Sequence, residues 1–139
     1  GARSIIDLSG CEDIMNAKKF CSNTSGYAFY YYTDKGVYSF SASSGETTSH
    51  QVYACESGEE VTAIYIYGSN GGGWPTSDCA LWIGIWNNNK QDGKLVQYEM
   101  DVNYGIPNSF WGPMFGAPDN PVITEGWGKI VDMTCLDAE

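Results

Sequence analysis

An uncharged stretch of seven residues, 80–86, constrains the fold of this chain most strongly. It consists of alanine, leucine, isoleucine, glycine and two tryptophans, and it ends abruptly in three asparagines at 87–89. Such a segment is typical of a β-strand that is buried on both faces and stops at the surface in a polar loop. We therefore expect Trp86 to border that loop, where a sugar or a protein partner could stack on its indole ring. The alternative is that the ring fills the core.

The balance of charges limits the classes of partner. Seventeen acidic residues stand against seven basic ones, and the only arginine is Arg3. Because phosphate binding requires clusters of Lys or Arg, the sequence argues against a nucleic-acid partner. No apolar run approaches the roughly 18 residues that a membrane helix needs, so we expect no membrane insertion. The length of 139 residues and the lack of a linker predict a single domain, residues 1–139.

The cysteines favour export from the cell. The chain has five of them, at scattered positions: Cys11, Cys21, Cys55, Cys79 and Cys135. No two have the spacing of a zinc site, and His50 is the only histidine. This pattern predicts a secreted protein with two disulfides and one unpaired thiol, and the glycosylation sequon at Asn23 agrees with secretion. If Cys79 is the unpaired thiol, it could join two chains in a homodimer. Five reduced, buried thiols in a cytosolic protein are the alternative.

The order of the elements predicts an α+β fold. Ser9 and Glu12 form a capping box, which predicts a short helix over about residues 10–20. Alternating runs at 27–32 and 37–42 predict a β-hairpin with its turn at 33–36. Together with the later segments they indicate mostly antiparallel β-sheet with one or two short helices and a long ordered loop.

The later segments are assigned in the same way. Residues 43–49 are predicted to be a polar loop, and residues 51–55 fit either a strand or the end of a short helix. The glycine-rich segment 68–75 breaks regular structure. Further strands are predicted at 61–67, 80–86, 94–100 and 129–134, with the turn 87–93 between the middle two. Residues 101–124 hold four of the five prolines and predict the long loop. Because such loops are usually functional, we expect the function between residues 103 and 127.

Motifs for catalysis are weak. His50 lies in a polar Ser/Thr stretch, no Gly-x-Ser-x-Gly motif is present, and the glycines at 71–73 lack the context of a phosphate loop. Glycoside hydrolysis needs a pair of carboxylates, and the candidates are Glu99, Asp101, Asp119 and Glu125. Seventeen acids supply many accidental pairs, so we predict a binding protein without catalytic residues and keep a small carboxylate-dependent hydrolase as an alternative.

Short motifs of the second half follow one another in a distinctive order. They are Tyr53-Ala54-Cys55, Gly58, Val61-Thr62-Ala63-Ile64, Leu81-Trp82-Ile83-Gly84-Ile85, Phe110-Trp111 and Gly116-Ala117-Pro118-Asp119-Asn120. In this order, over about residues 47–139, they resemble the landmarks of C-type lectin-like domains. In that family a cysteine ends the first helix, a Trp-Ile-Gly-Leu strand forms the core, and a triplet in the long loop binds calcium and sugar.

The resemblance implies a ligand-binding loop. Pro118 and Asp119 match the family triplet, Glu125 falls where a further carboxylate is expected, and a bridge between Cys55 and Cys135 is implied. Ala117 stands where the family has Glu or Gln, so one calcium ligand and one sugar contact are lost. Calcium is therefore possible but not favoured, and we expect no cofactor. Trp127 stands in the place of an expected cysteine.

These arguments together predict a secreted lectin. Sugars combine apolar C–H faces with many hydroxyls, and aromatic rings with planar amides or carboxylates satisfy both. The predicted ligand-binding residues are Trp86, Asn87, Asn88, Trp111, Asp119, Asn120 and Glu125, with glycans as partners. The alternative is a secreted effector, toxin or inhibitor that uses the same aromatic surface to bind a protein partner.

Overall fold

The computed structural model describes residues 7–22, 28–41, 46–68, 79–100 and 121–134. Within these ranges the chain forms ten β-strands and one turn of 3₁₀ helix, Ile14–Asn16. The strands are β1 Asp7–Gly10, β2 Lys19–Ser22, β3 Ala28–Thr33, β4 Gly36–Ser41, β5 Glu46–Thr48, β6 His50–Ala54, β7 Glu59–Gly68, β8 Cys79–Asn87, β9 Asp92–Met100 and β10 Val122–Trp127. The prediction of a mostly antiparallel β protein is thus confirmed.

Two four-stranded antiparallel sheets make up most of the described structure. The N-terminal sheet has the order β2-β3-β4-β6, and the C-terminal sheet has the order β10-β9-β8-β7. The predicted hairpin is β3–β4, in which Thr33 pairs with Gly36. The predicted strands at 61–67, 80–86 and 94–100 are β7, β8 and β9, each slightly longer than expected. Strands β1 and β5 form a separate parallel pair.

The main core lies between the two sheets. The N-terminal sheet contributes Tyr30, Tyr32, Val37 and Val52; the C-terminal sheet contributes Val61, Ile64, Ile66, Leu81, Ile83, Ile85, Val96 and Tyr98. Because successive side chains of a strand point to opposite faces, β8 directs Leu81, Ile83 and Ile85 inward and Trp82, Gly84 and Trp86 outward. The expectation that this strand is buried on both faces is therefore only half right, since Trp82 and Trp86 are partly exposed.

The helix predicted over residues 10–20 does not form. Asp13 has a φ of 55°, in the left-handed region, which interrupts any right-handed helix there. The capping box is not used either, because the Glu12 amide donates to the Ser49 hydroxyl at 2.8 Å. Residues 19–22 instead pair with β3, from Lys19–Tyr32 to Ser22–Phe29. Strand pairing has overridden the local helix signal.

A second apolar cluster explains why this segment stays close to the N-terminal sheet. Cys11 is buried with Tyr31, Tyr38 and Phe40, on the face of that sheet turned away from the main core. The rings of Tyr31 and Tyr38 stack with their centroids 5.2 Å apart. Leu8, Ile14 and Ala17 pack against the cluster. These apolar side chains thus hold the segment against the sheet, and they reach it without an α-helix.

Other boundaries also differ from the expectations. The polar loop predicted at 43–49 contains β5, and residues 51–55, left open between strand and helix, belong mostly to β6. The last strand lies at Val122–Trp127, and the strand predicted at 129–134 is wrong, since those residues have no regular structure. Of the predicted long loop at 101–124, residues 101–120 lie outside the described residues and residues 122–124 belong to β10. Of the predicted break at 68–75, residue 68 ends β7 and residues 69–75 lie outside the described residues. Within the described ranges, no helix has the length and apolar character required to cross a membrane.

The cysteines do not form the predicted pattern. Cys21 and Cys55 are free thiols that pack against the main core, so the bridge between Cys55 and Cys135 is absent. No disulfide is seen in the part of the chain that the structure describes. Burial raises the pKa of the Cys21 thiol to about 11. Cys135 and the side chain of Cys79 lie outside the described residues.

Candidate functional site

Four of the seven predicted site residues lie at one end of the C-terminal sheet. Trp86 and Asn87 are the last residues of β8, Asn88 follows in the turn, and Glu125 lies on β10. The register places Asn87 opposite Asp92 and Glu125 opposite Lys94, so β9 connects the two groups. The other three predicted residues, Trp111, Asp119 and Asn120, lie outside the described residues, as do the side chains of Glu99 and Asp101.

Trp86 is held in place by the turn that follows it. Its indole N–H donates to the Oδ1 of Asn88 at 3.1 Å. The Oδ1 of Asn87 accepts the backbone N–H groups of Asn89 and Lys90, at 2.9 and 3.1 Å. Both predicted amides therefore stabilise the turn: Asn88 orients the Trp86 ring, and the Asn87 side-chain oxygen closes the turn. Of the Asn87 amide, only the NH₂ group is left to bind a ligand.

A second tryptophan, Trp127, lies on the same face and was not among the predicted site residues. Trp86 and Trp127 both pair with Gly93, so their strands are separated by two strand spacings, about 10 Å. The indole N–H of Trp127 donates to the hydroxyl of Thr124 at 3.0 Å, and the residue is 47 % exposed. Its flanking glycines, Gly126 and Gly128, are the sequence signal that could have indicated an exposed ring on a bent chain.

The chain beyond β10 crosses this outer face of the C-terminal sheet. A Cβ on Gly93 would lie 2.6 Å from the carbonyl oxygen of Trp127, and a Cβ on Gly84 would lie 3.0 Å from the Cβ of Ile130. Lys129 then pairs with Glu60 of β7 at 2.9 Å. We call residues 128–134 the crossing segment.

The crossing segment separates the outer face into two parts. Gly84, on which Ile130 packs, lies between Trp82 and Trp86 on β8, so the two rings are on opposite sides of the segment. The Nε1 of Trp82 and the Oγ1 of Thr62 are buried and have no hydrogen-bond partner within the part of the chain that the structure describes. The indole N–H of Trp82 is therefore closed to a ligand, whereas Trp86 and Trp127 lie together at the end of the sheet on the other side of the segment.

A small polar cleft opens on the other side of the same sheet end. Its cavity has a volume of about 50 Å³, room for a few water molecules. Four acidic residues line it, Glu56, Glu59, Asp92 and Glu125, together with the two lysines Lys90 and Lys94. Ile85, Asn87 and Gly93 complete the lining. The cleft is therefore acidic, and it contains Asn87 and Glu125 of the predicted site.

The base of the cleft is a closed hydrogen-bond network around Glu59. Its carboxylate is 3 % exposed; one oxygen accepts from the hydroxyl of Tyr53 at 2.7 Å, and the other lies 2.7 Å from the Nζ of Lys94. Burial acts to raise the pKa of Glu59, but the hydrogen bonds from Lys94, Tyr53 and the Glu56 amide outweigh it and hold that pKa below its usual range. Burial and the adjacent carboxylate raise the pKa of Tyr53. Glu59 is thus a fully partnered carboxylate with a structural role.

No metal centre is found among the described residues, in which no three acidic, histidine or cysteine side chains are grouped to hold an ion. The calcium ligands implied by the resemblance, apart from Glu125, lie in the undescribed range 101–120. Comparisons of the chain with protein-family models, with curated proteins and with solved structures find no match. The resemblance to C-type lectin-like domains therefore stays a prediction.

Proposed function

We propose that this chain binds carbohydrate on the outer face of the C-terminal sheet, across Trp86 and Trp127. The observation that carries the proposal is the fixed placement of the two rings on one face, each held by a hydrogen bond from its indole N–H to a neighbouring side chain. Rings that are already ordered lose little conformational entropy when a ligand stacks on them. Their strands lie about 10 Å apart, with the backbone of Trp127 and Gly128 over Gly93 between them, so a ligand that contacts both rings needs at least two sugar units.

The polar groups around the rings support the same proposal. Asn87 and Glu125 line the cleft on the other side of the sheet end. A glycan that stacks on the outer face and extends over the end of the sheet would meet both groups. Apolar ring faces beside planar amides and carboxylates match the mixed surface of a sugar.

The test begins with a printed glycan array, on which we expect one coherent class of sugar. Isothermal titration with the best-bound oligosaccharide then compares the natural protein with Trp86→Ala and Trp127→Ala, and affinity should fall at least about tenfold in each. Phe20→Ala is the matched control, because Phe20 is a similarly exposed ring on the other sheet, and it should bind normally. Asn88→Ala retains Trp86 but removes the hydrogen bond that holds its ring, so we expect a smaller loss of affinity.

An array without any bound class would reject the proposal. So would a Trp86→Ala variant that is folded, as judged by circular dichroism, and binds with unchanged affinity. If both tryptophan variants unfold while Asn88→Ala folds and binds normally, the rings are part of the core and the ligand site is elsewhere.

A protein partner is the second candidate. The observation that favours it is the exposure of three large apolar side chains, Val122, Ile123 and Trp127, on the edge strand β10. Exposed apolar strips at the edge of a domain are typical of surfaces that bind other proteins. Secretion, which both candidates assume, stays a prediction.

A further inference from the structure

Strand β10 is exposed along its whole length. Among the strands that the structure describes, it lies at one edge of the C-terminal sheet and pairs with β9 only. All six of its residues are exposed, including Val122 at 55 % and Ile123 at 48 %. An edge strand that carries apolar side chains on both faces is a template for a further strand.

Proteins usually protect such an edge, and β10 is protected only in part. The register shift between Glu125 and Trp127 marks a bulge at Gly126, where φ is 81°. A bulge ends regular pairing and twists the edge away. The four residues before it, 122–125, keep an unbroken register with β9 and present regular backbone groups.

The charge beside this edge selects the partner. Glu125 is the only charged residue of β10, and its carboxylate lines the acidic cleft together with Glu56 and Asp92. Lys94 in the same cleft is already paired with Glu59, and Lys90 lies at the rim in the exposed turn. The whole chain has a net charge of −10. A strand that carries a basic side chain opposite Glu125 would therefore be favoured over an acidic one.

We propose that residues 122–125 of β10 bind an extended peptide segment by antiparallel strand addition, with a Lys or Arg of the peptide placed against Glu125 at the cleft. This surface shares Glu125 with the proposed glycan site, but strand addition uses the backbone of residues 122–125 and does not require a bound glycan. In antiparallel pairing the peptide residues run opposite Glu125, Thr124, Ile123 and Val122 in that order. The favoured pattern is therefore Lys or Arg, then Thr or another β-branched residue, then two aliphatic residues.

A second copy of the chain fits this edge less well. It would bring another net charge of −10, and only about four residues a side could pair, against the roughly 20–30 residues a side of a stable dimer. A short peptide needs no larger surface, because its backbone hydrogen bonds supply much of the affinity.

The probe is a fluorescein-labelled peptide with the core Lys-Thr-Ile-Val between Gly-Ser ends, titrated with the protein by fluorescence anisotropy. Two further peptides carry N-methyl groups on alternating residues of the core. In strand addition one alternating set of amides faces β10 and the other faces solvent, so one methylated peptide should lose binding at least about tenfold and the other should keep it. Equal behaviour of the two would contradict strand addition.

A charge exchange tests the partner chemistry. Glu125→Lys should bind the lysine peptide at least about tenfold more weakly and should bind a peptide with the core Glu-Thr-Ile-Val more tightly than the natural protein does. Ile123→Lys should weaken binding of the original peptide, and Met15→Lys, at an exposed apolar residue far from β10 in sequence, is the matched control. If the exchange has no effect on preference, Glu125 does not select the partner.

Sedimentation equilibrium decides between the peptide and a second copy. We expect a monomer at micromolar concentration. A dimer that Ile123→Lys converts to monomer would overturn the proposal in favour of β10 pairing with itself, and the absence of any anisotropy change up to millimolar protein would reject the peptide site directly.

Discussion

The hydroxyl of Tyr53 donates to the carboxylate of Glu59 at 2.7 Å and joins the two sheets at the base of the acidic cleft. Tyr53 belongs to β6 of the N-terminal sheet, and Glu59 begins β7 of the C-terminal sheet. Lys94 of β9 completes the link, with its Nζ 2.7 Å from Glu59 and 5.5 Å from the centre of the Tyr53 ring. One buried carboxylate therefore connects three strands.

Replacement of Glu59 should destabilise the fold. Glu59→Gln leaves the ammonium group of Lys94 without its carboxylate, which typically costs about 3–5 kcal/mol for a fully buried pair. Lys94 is 22 % exposed and can turn toward water, so we expect a loss of roughly 2–3 kcal/mol in the free energy of unfolding. Urea denaturation measures this loss. Glu60→Gln is the control, because its pair with Lys129 is largely accessible to water and should contribute less than about 1 kcal/mol.

The same carboxylate should make stability depend on pH in the acid range. Its hydrogen-bond partners hold the pKa of Glu59 below the ordinary value of 4.5. A lowered pKa means that the stabilisation is fully present above about pH 4.5 and is lost as the pH falls through the pKa of the folded state. The stability difference between the natural protein and Glu59→Gln should thus shrink between pH 5 and pH 3. A difference that stays constant over that interval would show that Glu59 remains ionised or contributes nothing.

Apolar runs predicted the strands of the C-terminal sheet well, and local signals predicted the first segment badly. In β8 the uncharged run indicated the strand correctly, but the sequence did not indicate that Trp82 and Trp86 would lie on its partly exposed face. The capping box at Ser9 is equally visible, but it is a local preference of about 1 kcal/mol. Pairing of residues 19–22 with β3 outweighs it.

Only part of the candidate site could be predicted, because the local sequence does not reveal which strands become neighbours. Trp86 and its turn follow from an apolar strand that ends in asparagines. Trp127 joins it only because β9 lies between β8 and β10, and that strand order is a long-range property. Gly84 and Gly93 did carry a usable signal, since a glycine inside a strand often marks the close approach of another backbone segment.

The Cys21 thiol should react slowly in the folded protein. Burial raises its pKa from 9.0 to about 11, which makes the reactive thiolate about a hundredfold scarcer near pH 8. Alkylation with iodoacetamide, followed by peptide mass spectrometry, should label Cys21 at least about a hundredfold faster in guanidinium chloride than in native buffer. Equal rates in the two conditions would mean that the Cys21 thiol is accessible and ionised in the folded protein.

Glycan binding should persist when calcium is removed. Ala117 supplies no side-chain oxygen, and a calcium site needs six to eight oxygen ligands. We therefore expect the ligand to be held by the rings and by polar side chains, with little dependence on the ion. Titration with the array-selected oligosaccharide, with and without EDTA, should give affinities within about twofold. Loss of binding in the chelator, or calcium binding with submicromolar affinity, would assign a full metal site to the loop despite Ala117.

Alanine at Gly93 and alanine at Gly84 should affect the packing of the crossing segment on the sheet to different extents. On Gly93 a Cβ would overlap the carbonyl oxygen of Gly128, a backbone atom that cannot move without the segment, so Gly93→Ala should cost roughly 2–3 kcal/mol. On Gly84 a Cβ would lie 3.0 Å from the Ile130 Cβ and 3.1 Å from the Thr62 Oγ1, contacts that shifts of a few tenths of an ångström in both residues relieve. Because alanine also suits a strand better than glycine, Gly84→Ala should cost less than about 1 kcal/mol. Urea denaturation gives the two values, and proteolysis between residues 128 and 134 shows whether the segment has lifted. An order of effects in which Gly84→Ala is the more harmful would place the main anchor of the segment at Ile130 and not at its backbone above Gly93.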